Sequence, residues 1–160
     1  MKNGSISCPE LSALVKHENI LTTDRDIAEL LRSTQRIAVL GIKPESRSSQ
    51  PAFYVPKYMK DAGCEIIPVP VYYPEVTEIL GLPVYRDLND IPGEIDLVNV
   101  FRRSEDIPKH TDEILRKKPK AVWFQLGIRN DDAAETIARA GIKVVQDLCL
   151  MVEHRALLRN

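Results

Sequence analysis

An apolar run, Ile37-Ala38-Val39-Leu40, ends in Gly41 and is followed by Ile42, Lys43, Arg47 and Ser48. A continuous apolar run reads as a buried parallel strand. A glycine, two cations and a hydroxyl just past its carboxyl end read as a phosphate site. Arginine forks onto phosphate oxygens, lysine adds a point charge, and amides at the next helix start add donors. A glycine here leaves room for a pyrophosphate to approach the backbone. The chemistry suggested is binding of a phosphorylated nucleotide. It is not the usual dinucleotide arrangement, which wants three spaced glycines and an acid closing the second strand. Gly41 stands alone, the second strand ends Val69-Pro70-Val71, and no P-loop is present.

Loops after the other strands extend the set. Pro70, Tyr72 and Tyr73 follow the second strand, and Phe101, Arg102 and Arg103 follow the next. Phe101 is suited to stacking on an adenine, and Arg102 to a second phosphate. Gln125 and Gly127 follow the strand after that, and Asp147 and Cys149 follow the last. Each is also readable as an ordinary loop residue. Cys149 reads first as a small buried hydrophobe, with thiol exchange left open by its place near the ligand edge. No metal site is expected, because His17, His110 and His154 are scattered and Cys149 and His154 miss the i,i+4 spacing. Glu153-His154 offers an acid–base pair, though a structural role in the last helix is the favoured reading. Trp123, inside a strand, reads as core.

The elements that must position these residues alternate. Thr23 caps a helix over about 24–33, with Asp24 and Asp26 in its first turn. A helix follows the first strand, with Pro51 suited to its start and Gly63 to its end; Pro56 predicts a kink or a late beginning. Strands are expected at 65–71, 84–85, 96–101, 121–126 and 142–145. Helices are expected as one turn at 74–80, then from Ser104 as cap to Lys117, from Asn130 or Asp131 to Gly141, and at 150–158. Strands without polar alternation, separated by helices, predict an α/β, doubly wound, mainly parallel sheet. In such sheets ligands bind outside the carboxyl ends of the strands, where strand order reverses.

Bulk properties narrow the class. The chain has 160 residues, enough for one domain, read as an arm at 1–22 with a short amphipathic piece (Leu11, Leu14, Val15) and a domain at 23–160. A net charge of −1 argues against a nucleic-acid partner. The Arg116-Lys117-Lys118 cluster reads as a solvated helix end. Three unpatterned cysteines suit a reducing compartment. No apolar run has signal-peptide or membrane-spanning length, so a cytoplasmic location without a membrane partner is expected. A protein partner or homo-oligomer stays open.

Several segments together carry a resemblance: Ile37-Ala38-Val39-Leu40-Gly41 with Pro44 and Arg47, Glu78-Ile79-Leu80-Gly81, Asp90-Ile91-Pro92, and Phe101-Arg102-Arg103-Ser104-Glu105. They continue with Val122-Trp123-Phe124-Gln125-Leu126-Gly127 and Val144-Val145-Gln146-Asp147-Leu148-Cys149 with Glu153-His154. Over about residues 25–158 the chain resembles the small stand-alone CoA-binding proteins, related to the CoA-binding domain of the succinyl-CoA synthetase alpha subunit. The resemblance implies a Rossmann-like domain that binds coenzyme A or an acyl-CoA. By it, the Gly41–Ser48 turn takes part of the phosphate chain, and the loops after Val100 and Leu126 line the rest of the groove. The chain departs from the family at Ile42-Lys43, where a small residue and a serine are usual. It departs again at Val69-Pro70-Val71, where Val-Asn-Pro is usual, and at Leu148, where arginine often stands. The synthetase relatives add a catalytic histidine from a second domain that this chain lacks. The expectation is therefore a binding module for storage, sensing or presentation, without complete catalytic machinery. Two alternatives remain: an NAD(P)-binding oxidoreductase or sensor with a degenerate site, and an interaction protein whose pocket is filled by Ile42 and the Tyr72-Tyr73 loop.

Overall fold

The computed structural model describes residues 16–158; the segment holding Leu11, Leu14 and Val15 lies outside them. From the amino end run helix α1 (Asp24–Arg32), strand β1 (Arg36–Leu40), helix α2 (Pro51–Asp61) and strand β2 (Glu65–Val69). A hairpin of β3 (Glu78–Ile79) and β4 (Leu82–Pro83) follows, then β5 (Leu97–Val100) and α3 (Thr111–Lys117). The chain continues with β6 (Ala121–Phe124), α4 (Asp131–Arg139), β7 (Lys143–Val145) and α5 (Leu150–Leu158). The five longer strands pair in parallel in the order β2-β1-β5-β6-β7. This is a Rossmann-like α/β fold in a single domain.

The apolar runs explain the layers. Alternate residues of each strand enter opposite cores: Ala38, Leu40, Val98, Val100, Val122 and Phe124 on one face, Ile37, Val39, Leu97, Ala121 and Trp123 on the other. Both faces are covered, as parallel sheets require. Trp123 is fully buried and its indole donates to the Leu148 carbonyl at 2.7 Å. Side-chain caps begin helices α1 and α4: Thr23 Oγ1 accepts from the Asp26 amide at 3.2 Å, and Asn130 Oδ1 from the Ala133 amide at 3.0 Å. Beyond β7, Ile20 bridges Val144 in parallel, held by Leu21 N–H to Val144 O and Val144 N–H to Asn19 O, both 2.8 Å.

Four local expectations are corrected. Helix α2 starts at Pro51, so it does not begin late, and it continues through Pro56 to Asp61. The Ala52 carbonyl, which Pro56 cannot supply with an N–H, instead accepts from the Lys43 amide at 3.1 Å. Residues 74–80 form no helical turn, and 84–85 no strand; the Glu78–Pro83 hairpin replaces both. Its turn places Leu80 at φ +58° and Gly81 at φ +72°, the positive pair that tight hairpins need. Strand β2 ends at Val69, before Pro70. Finally, Ser104–His110 is 3₁₀ and only Thr111–Lys117 is α, because Pro108 denies the segment an amide. Ser104 is not a cap: its hydroxyl accepts from the Arg129 amide at 3.0 Å and ties two loops of the carboxyl edge together.

Candidate functional site

β1 and β5 lie side by side, yet the chain leaves them toward opposite edges of the sheet. Strand order therefore reverses between them, and their carboxyl ends splay into a crevice. Gly41 and Phe101 stand at its floor. The Gly41 amide donates to Val69 O and the Phe101 amide to Leu40 O, both at 2.9 Å. Gly41 sits at φ +91°, and a Cβ there would lie 2.4 Å from the Phe101 carbonyl oxygen. Its glycine is thus demanded by the neighbouring strand, whatever the ligand.

The crevice is a cavity of about 170 Å³, lined by Gly41, Ile42, Lys43, Val71, Tyr72, Tyr73, Phe101, Arg102 and Arg103. It joins cations to aromatic rings, the pairing a nucleotide needs. Ile42 is 1% exposed and its side chain packs in the core, so it offers a ligand only backbone and does not plug the cavity. Lys43 is half-buried, and its ammonium donates to Gln50 Oε1.

A network fixes the arginines. Arg102 lies over the Tyr72 ring at 5.2 Å, and its Nε donates to His110 Nε2 at 3.2 Å. His110 Nε2 is therefore an acceptor and Nδ1 carries the proton, pointing at Glu113 Oε1 at 3.3 Å. Asp106 is buried among three cations: Arg103 Nε at 2.8 Å, Lys109 Nζ at 3.1 Å and Arg102 Nη2 at 3.6 Å. Arg103 first, then Lys109, holds the Asp106 carboxyl below its usual range. Arg102, and more weakly Arg103, draw the Tyr72 phenol down in the same way. Arg102 is nine-tenths buried, whereas Arg103 is 70% exposed, so Arg103 has more freedom to turn to an anion.

The remaining sequence candidates fall outside this cavity. Arg47 and Ser48 are exposed in and after a 3₁₀ turn, Glu45–Arg47. Pro70 is buried just past the end of β2. Gln125, Gly127 and Cys149 gather farther along the edge, past β6 and β7. Gln125 Oε1 accepts from the Leu150 amide at 3.3 Å and from Asn99 at 3.4 Å; the Gly127 amide donates to Asp147 Oδ1 at 2.7 Å; Cys149 is half-buried. His154 is spent on α2, with Nδ1 3.0 Å from the Tyr58 hydroxyl, beside a hollow of about 410 Å³ by the carboxyl end of α2. Among the described residues no group of three or more His, Cys, Asp or Glu could hold a metal, and no helix is long and apolar enough to cross a membrane.

The sequence gives Asp106, His110 and Arg86 no place at the site, yet they organise its loops. Asp106 was detectable by its i+3 and i+4 spacing from Arg103 and Arg102. Arg86 left no such trace.

A family model described as CoA binding domain matches residues 35–155. The chain is 40% identical over 129 residues to the uncharacterized protein YneT of Bacillus subtilis (strain 168), covering 81% of this chain and 92% of that one. It is similar to a structure from Thermus thermophilus, cell-free ID.343, at 35% identity and TM-score 0.78, covering 86% of this chain and all of that one. A hypothetical protein from Pyrococcus horikoshii OT3 superposes at TM-score 0.77 with 32% identity, over 90% of this chain and 97% of that one.

Proposed function

The chain belongs to the CoA binding domain family, and on that premise we propose that it binds coenzyme A or an acyl-CoA as a small stand-alone module. The observation that carries this is the cavity at the β1/β5 switch point, where Lys43, Arg102 and Arg103 stand beside Tyr72, Tyr73 and Phe101. The cations suit the phosphates and an aromatic face suits the adenine. The Gly41–Ser48 turn, with Arg47 and Ser48 outside the cavity, takes part of the phosphate chain. Gln125, Gly127 and Cys149, farther along the same edge, line the path of the pantetheine arm. The role is storage, sensing or presentation of the cofactor in the cytoplasm.

The test is a calorimetric titration with CoA and with dephospho-CoA. CoA carries one more phosphate, so it is expected to bind about tenfold tighter at low salt, the advantage narrowing as salt rises. Equal affinities would remove the assignment of the cations to that phosphate. Native mass spectrometry of freshly purified protein, with and without reductant, is expected to show a co-purified CoA mass. Loss of that mass on reduction, together with its absence from a Cys149→Ser variant, would place Cys149 in disulfide exchange with the ligand.

A further inference from the structure

The hairpin β3–β4 lies beside the cavity without lining it, and its neighbour Arg86 makes an unusual set of bonds. Arg86 has no carboxylate partner among the described residues. Its Nη1 donates to Tyr72 O at 3.1 Å, and its Nη2 to Tyr73 O at 2.9 Å and Val76 O at 2.7 Å, with Pro74 O at 3.4 Å. One guanidinium thus gathers the carbonyls of the whole loop that carries Tyr72 and Tyr73. That loop needs a fastener: Tyr73 is held at φ +65°, a strained value for a tyrosine. The hairpin also reaches the other ligand loop, where the Leu80 amide donates to Glu45 Oε2 at 2.8 Å. Arg86 itself is anchored to the sheet through its neighbour, since the Tyr85 amide donates to Pro68 O at 2.9 Å.

We propose that Arg86 is a positioning residue for the ligand site: its fork sets the Tyr72-Tyr73 loop against Arg102 and so fixes the aromatic wall of the cavity. The claim rests on the CoA reading of that cavity for its functional consequence, and on the loop alone for its structural content. The planar fork is what the geometry uses. A lysine keeps the charge but presents a single nitrogen, which can stand in for Nη2 at Tyr73 and Val76 but leaves the Tyr72 carbonyl without the donor that Nη1 supplies.

The test compares Arg86→Lys and Arg86→Ala with the wild type by two readouts. The first is CoA affinity by calorimetry; both variants are expected to bind at least about fivefold more weakly, with the thermal midpoint little changed because Arg86 is exposed. The second needs no ligand: the Tyr72 phenol, followed through its ring carbon in NMR pH titration, is expected to return upward in both variants as Tyr72 leaves Arg102. Wild-type affinity in Arg86→Lys would show that the two-nitrogen fork is not needed and would overturn the proposal. An unmoved Tyr72 titration in both variants would overturn it equally. If the wild type binds no CoA, the function proposed above fails, and the Tyr72 titration still decides whether Arg86 holds the loop.

Discussion

Replacing Gly41 by alanine separates two reasons for a glycine at the site. The new methyl would stand 2.4 Å from the Phe101 carbonyl oxygen, about 1 Å short of ordinary contact, with the Phe101 carbonyl carbon at 3.0 Å. Those are backbone atoms just past the end of β5, a central strand, so no rotamer change relieves the clash. β1 and β5 must part at their carboxyl ends, which strains the Phe101 amide to Leu40 carbonyl bond. Overpacking of this kind costs about 1–3 kcal/mol, and an alanine held at positive φ about 1–2 kcal/mol more. Together they come to roughly 2–5 kcal/mol, or about 10 °C in midpoint for a chain of this size. Gly127→Ala is the matched control: it shares a positive φ, +86°, but a Cβ there meets nothing within 4 Å. It is expected to lose only about 1–2 kcal/mol. The assay is urea unfolding of both variants without ligand, read as a shift in midpoint at constant slope. Equal losses in the two variants, or a Gly41→Ala protein of wild-type stability that has merely lost CoA, would refute the packing argument.

Asp96 accepts from the Gln35 and Arg36 amides at 2.9 and 2.8 Å and so fastens the start of β1 to β5. Burial works against its ionisation, but those amides and the Lys120 ammonium outweigh it and hold the carboxyl below its usual range. A depressed pKa means that its stabilisation is complete above the unfolded value, about 4, and is lost as pH falls through the folded one. Asp96→Ala is expected to cost about 2 kcal/mol at pH 7 in urea unfolding, with the gap to wild type closing below pH 4. Asn99, by contrast, is fully buried with its Oδ1 unpartnered, and its amide makes only bonds of 3.4 Å. Asn99→Val is expected to raise the thermal midpoint by a few degrees, corresponding to about 1 kcal/mol; a lower midpoint would show that the carbonyl is satisfied in solution.

The layers of this fold are legible wherever one residue's preference agrees with its neighbours'. The apolar runs at 37–40 and 121–124 have no alternation to dilute them, and Thr23 and Asn130 precede their helices as caps do. Legibility fails where a tertiary bond overrides a local rule. Pro56 reads as a kink or a late beginning because sequence does not reveal that Lys43 will take the spare carbonyl. The hairpin is misread because Val76, Ile79 and Leu80 also suit a helical turn, and only Leu80 at positive φ, against its propensity, decides otherwise. At the site, the cationic and aromatic types are visible in the chain, but their division of labour is not. Ile42 turns inward to the core, while Arg102 is committed to His110 and Asp106 and Arg103 is left toward solvent by the 3₁₀ path after β5.

The proline inside α2 has a consequence for anyone who would transplant this ligand loop. A helix of ordinary residues has every interior carbonyl already occupied from within, and offers the preceding turn nothing to grip. Here the missing donor exposes one acceptor, and the chain just past the glycine is latched to it. Grafting residues 41–50 alone onto another scaffold of this architecture would therefore yield a slack loop. The graft becomes self-supporting only when the segment through Pro56 travels with it.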